Sequence, residues 1–96
     1  MIDPRILEGR RRVLAILDEL RSVGLLRYSL TPPEIDGPEP HLEVWAERDA
    51  LNRCAFGLGV SHEAAWLWDL LCAGTFQVAP SLQALLNVLD ARGKAS

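Results

Sequence analysis

The sequence predicts an α+β domain in which a two-stranded antiparallel ribbon packs with four helices, in the order α-β-β-α-α-α. Three observations predict it. Apolar residues recur at helical spacing near the N-terminus. Two short stretches then alternate apolar with polar residues across a proline-rich connector. The remainder returns to helical spacing, punctuated by glycines and serine caps. At 96 residues the chain has room for one domain, 1–96, and its 49% apolar content suffices for a core.

Asp3 is placed to cap the first helix, and Pro4 fits its first position, where a missing N–H costs nothing. Ile6, Leu7, Val13, Leu14, Leu17 and Leu20 follow at helical spacing, and Gly24 stands where a left-handed terminal residue belongs, giving a helix over about 4–23. Glu8 with Arg12, and Asp18 with Arg21, are spaced to pair along its surface. The period then changes to two. Leu26, Tyr28 and Leu30 form one apolar face, and Leu42, Val44 and Ala46 another. The segment 32–40 between them holds four prolines and an Asp-Gly step, so it is expected to be a flexible, dispensable loop. Arg48 to about Phe56 reads as a short helix broken by Gly57-Leu58-Gly59. Ser61 caps a helix that runs to about Ala73, and Ser81 caps a last one carrying Leu82, Leu85, Leu86 and Leu89. Gly93 is expected to end that helix and leave 94–96 as a frayed tail.

The balance of charge narrows the function. Net charge is −3 and the pI about 5.3, whereas nucleic-acid binders usually carry a basic surplus. Nucleic acid is therefore a disfavoured partner. No apolar run reaches the ~20 residues that span a bilayer, so no membrane role is expected. With two cysteines, no CxxC pair and no cleavage-type leader, the chain is expected in the cytoplasm with reduced thiols. His41, His62, Cys54 and Cys72 lack the short-range pairing of a metal site. Gly57-Leu58-Gly59 lacks the remainder of a dinucleotide fingerprint. No cofactor, metal or catalytic residue is assigned, and the chain is read as not an enzyme.

Residues 51–91 resemble the helix-turn-helix domains of the lambda Cro and repressor type. Leu51 and Ala55 lead into Gly59-Val60-Ser61, the turn that family favours, and Pro80-Ser81-Leu82 opens a helix as the family's proline-serine-leucine start does. The resemblance implies a transcription regulator whose helix after the turn lies in the major groove. That helix here, 62–73, carries no Arg, Lys, Asn or Gln to read base edges, and it carries Glu63 and Asp69.

Two features point to partners. Arg10-Arg11-Arg12 is the basic run, either a solvated helix face or a contact for an anion or acidic partner. Trp66, Leu67, Leu70 and Leu71 are expected to face the core, which leaves Trp68, Ala65 and Cys72 on the other side. Those three, with Trp45 of the second strand, form the expected protein-binding surface, because tryptophan commonly anchors interfaces. The favoured reading is a small interaction or regulatory module acting through an apolar surface, as a homodimer or with another protein. The alternative is the helix-turn-helix regulator.

Overall fold

The computed structural model describes residues 3–50, 55–73 and 81–95. Helix α1 spans Pro4–Ser22, strands β1 and β2 span Leu26–Thr31 and His41–Ala46, and helices α2 and α3 span His62–Cys72 and Leu82–Ala95. The class is α+β, with a two-stranded antiparallel sheet. Three α-helices are present among the described residues, not four. Where a helix was expected over 48–56, the described parts form two 3-10 turns, Arg48–Ala50 and Ala55–Leu58, while residues 51–54 lie outside the described chain. The last helix also departs from expectation, because it continues through Gly93 to Ala95. An interior glycine costs about 1 kcal/mol but ends a helix only if the chain turns left-handed there.

The caps follow the sequence. Asp3 Oδ1 accepts from the Arg5 amide at 2.8 Å, Ser61 Oγ from Ala64 at 3.2 Å, and Ser81 Oγ from Ala84 at 3.0 Å. At the other end of α1, Leu25 N–H donates to Leu20 C=O at 3.1 Å and Gly24 N–H to Arg21 C=O at 3.0 Å. This paired closure needs φ > 0 at Gly24, observed at +78°. The turn buries Leu20 against Leu25 and delivers the chain straight into β1.

β1 and β2 pair from Leu26 with Ala46 to Thr31 with His41. Leu26 and Leu42 are buried on the inner face, with Tyr28, Leu30 and Val44 half-buried beside them. α1 covers this face with Val13, Ile16, Leu17 and Leu20, and α2 and α3 complete the core with Leu67, Trp68, Leu82, Leu85 and Leu89. Each of these large side chains contributes on the order of 2 kcal/mol by leaving water. At Gly9, buried on α1, a Cβ would collide with Leu86 Cδ2, so α1 and α3 cross closely there.

Polar arms from α1 hold the other elements. Arg12 reaches Glu63 of α2 at 2.8 Å and Asp90 of α3 at 3.0 Å rather than Glu8. Glu19 accepts both the amide and the hydroxyl of Ser61 at 2.9 Å. Asp18 pairs with Arg21 at 2.9 Å, as the spacing suggested. Arg10 is 7% exposed; its Nη1 donates to the carbonyls of Ile35 and Gly37 at 2.7 Å, and its Nη2 pairs with Glu39 at 3.0 Å. Glu39 in turn accepts from the Gln83 amide of α3 at 3.1 Å. Arg10 of α1 thus contacts three residues of the loop that was expected to be flexible.

Arg10→Ala should therefore strip two part-buried carbonyls and one carboxylate of their donor. The expected cost is about 2 kcal/mol, or a fall of roughly 8–16 °C in a thermal melt. Arg10→Lys should lie between, since one ammonium cannot serve three acceptors with a fixed fork. A melt unchanged by Arg10→Ala would show that the loop is held by something else.

Candidate functional site

The surface expected on α2 is absent. Trp68 is 0% exposed and Ala65 1%, so neither is available to a partner. The buried stripe of α2 is Ala64, Ala65, Leu67 and Trp68, while Trp66, Leu70 and Leu71 are half-buried. An all-round apolar helix leaves its own rotation undetermined. In the observed rotation Ser61 and Glu63 face α1, where Glu19 and Arg12 engage them. Cys72, expected on the same surface as Trp68 and Ala65, is exposed at the last residue of the helix. Partial burial pushes its pKa up, and the neighbouring Asp69 adds to the rise. Cys54 lies outside the described residues.

The basic run divides three ways. Arg10 turns inward to the loop, Arg12 bridges α2 and α3, and Arg11 is exposed. Two of the three guanidiniums are thus engaged within the chain. The Glu63 hydrogen bond, foremost, raises the Arg12 pKa further.

Of the four residues expected on the protein-binding surface, Trp45 and Cys72 stand in solvent, and Trp45 is the large one. It is 46% exposed, more than Ile6 at 40% or Leu58 at 38% among the described large apolar side chains. Alternation places it on the outer face of the ribbon, with His41 and Glu43 on the same strand and Arg27, Ser29 and Thr31 across from them. Arg27 is directly opposite Trp45. The Arg27 Nε pairs with Glu47 at 2.9 Å, which leaves its Nη atoms to solvent.

Arg27 also joins this face to an open cleft of about 370 Å³ at the ribbon's end. Arg21, Arg48, Asp49 and Glu47 line the cleft beside Gly24 and Ala50. Arg21 sits 5.1 Å over the Tyr28 ring, whose hydroxyl donates to Asp18. Arg48 and Asp49 make no ion pair among the described residues. Exposed ion pairs contribute about 1 kcal/mol or less, so Arg21 and Arg27 can exchange their partners for a ligand's carboxylate at small cost. Sequence reading missed this cleft. Alternation put Arg27 and Trp45 on outward faces, but a nine-residue connector does not fix the register that sets them opposite.

No group of three His, Cys, Asp or Glu placed to hold a metal occurs among the described residues. No described helix is long and apolar enough to cross a membrane. The exposed positions of α2 include His62, Glu63, Asp69 and Cys72. No family model, curated protein or solved structure matches the chain.

Tyr28, the single tyrosine, is a direct probe of this corner. Burial, then its hydrogen bond to Asp18, pushes its pKa up to about 12. Absorbance titration should show one high transition, moved down by Asp18→Ala. The folded pKa exceeds the unfolded value of about 10, so Tyr28 contributes stability below pH ~10 that is lost as pH rises to about 12. A midpoint near the ordinary tyrosine value would contradict the Asp18 contact. In addition, Trp68→Asp should unfold the chain rather than expose a binding defect, since it buries a carboxylate without a partner. A folded Trp68→Asp protein by circular dichroism would contradict that burial.

Proposed function

We propose that this chain is a small non-enzymatic interaction module that docks a protein on the outer face of its ribbon. The carrying observation is Trp45, 46% exposed opposite Arg27 and beside an arginine-lined cleft. Tryptophan and arginine are the residues most enriched among those that dominate binding energy. A rigid indole loses little conformational freedom on binding, and a neighbouring guanidinium offers paired donors to a carboxylate. The helix-turn-helix alternative lacks such a feature: the groove-facing helix it needs is α2, whose exposed face carries Glu63 and Asp69. Those carboxylates oppose phosphate.

The test is Trp45→Ala. Its monomer should stay within about 1 kcal/mol of the parent in denaturant unfolding, since the side chain is half in water. Binding to whatever protein co-purifies with the native chain should weaken by roughly thirtyfold or more. Undiminished capture by Trp45→Ala would overturn the reading. So would retention on heparin that falls steeply with salt, which would favour nucleic acid.

A further inference from the structure

We infer that the partner is a second copy of this chain, joined edge to edge through β2 to make a four-stranded antiparallel sheet. This rests on the interaction-module reading and moves its contact from the outer face alone to the adjoining β2 edge, with Trp45 at the seam. The Glu47 amide donates to the Leu25 carbonyl at 2.8 Å, one step beyond the ladder. In an antiparallel pair the residues that exchange hydrogen bonds alternate with those that do not. His41, Glu43 and Trp45 therefore turn their backbone groups to β1. Leu42, Val44 and Ala46 turn theirs to the outer edge, and no hydrogen bond to these outward groups is present among the described residues. α1 packs on β1, where its Asp18 and Arg21 engage Tyr28. β2 has no helix packed on it to that extent.

A two-fold axis across the β2 edges permits two central registers that keep the apolar faces together. Centring on Glu43 sets two carboxylates directly opposite and leaves Ala46 facing Pro40, which has no N–H. Centring on Val44 avoids both faults. Val44 then meets Val44, and Leu42 meets Ala46 of the second copy, so all three outward residues both donate and accept. The inner face reads Leu26, Ala46, Leu42, Leu30 across four strands, which covers Ala46, exposed in the single chain. On the outer face Glu43 of the second copy lies beside Trp45, and Glu47 of the second copy faces His41. Charge and hydrogen bonding thus both select one self-complementary register, the condition for an isologous contact. It also relieves the marginal stability of a two-stranded sheet.

Light scattering over a wide dilution series should show mass rising from 10.6 kDa towards twice that value. Ala46→Pro removes an outward N–H without touching the β1–β2 ladder, so the monomer should keep its circular dichroism. By symmetry it deletes two intermolecular bonds, and dimerisation should weaken by roughly thirtyfold. Ala46→Asp, which sets a carboxylate against the second copy's Leu42, should do the same and serves if the proline variant does not fold. Glu43→Gln should change affinity little in the Val44-centred register. A large gain would place two Glu43 side chains opposite one another and overturn it. A constant 10.6 kDa mass at the highest soluble concentration, or dimerisation indifferent to both Ala46 variants, would also overturn the proposal. Trp45-dependent capture of a different protein by such a monomer would still uphold the wider docking role, so the two failures are distinguishable.

Discussion

A ribbon of two strands has one apolar face and no third strand to share it, so it holds its shape only where something else covers that face. Helix α1 supplies the cover. Its stripe of Val13, Ile16, Leu17 and Leu20 lies in the same core as Leu26 and Leu42, and the Gly24 turn joins helix to strand with one residue to spare. The remaining elements then gather around α1 rather than around the sheet. This leaves the ribbon covered on one face, with its outer-face side chains largely in solvent and no described helix packed on β2 as closely as α1 packs on β1. The same constraint that builds the core thus creates the surface on which function is proposed.

The polar contacts repeat this arrangement. Arg10, Arg12 and Glu19 project from α1 to the loop, to α2 with α3, and to the cap of α2. The pairs of Arg12 are about half exposed and contribute little each; they tie Glu63 of α2 and Asp90 of α3 to α1 in the arrangement that puts Trp68 inside. Arg10 differs, because a guanidinium at 7% exposure without acceptors would be very costly. Its Nε has no partner among the described residues, so the site is ordered by geometry more than enriched in net stability.

Much of the fold was legible because local rules act within a few residues. Pro4, Gly24, Ser61 and Ser81 mark helix ends by chemistry that depends on their neighbours alone, and the alternation in 26–30 and 42–46 is a property of the strand itself. What escaped was relational. In its observed rotation α2 meets Glu19 and Arg12, far away in the chain. The inward turn of Arg10 depends on two carbonyls and a carboxylate in a loop that shows no apolar pattern. Of the expected partner residues, Trp45 stayed at the surface because strand alternation is short-range, whereas Trp68 did not because a uniformly apolar helix carries no internal direction.

The β2 edge is most directly examined by amide hydrogen exchange, residue by residue. Glu43, Trp45 and Glu47 donate inward to β1 and its extension, and should be protected at every protein concentration. Leu42, Val44 and Ala46 should become protected only as concentration rises, in step with one another, as the edges of two copies pair. Unprotected exchange of those three amides at all concentrations, beside a fully protected inward set, would contradict the pairing and leave β2 as an open edge.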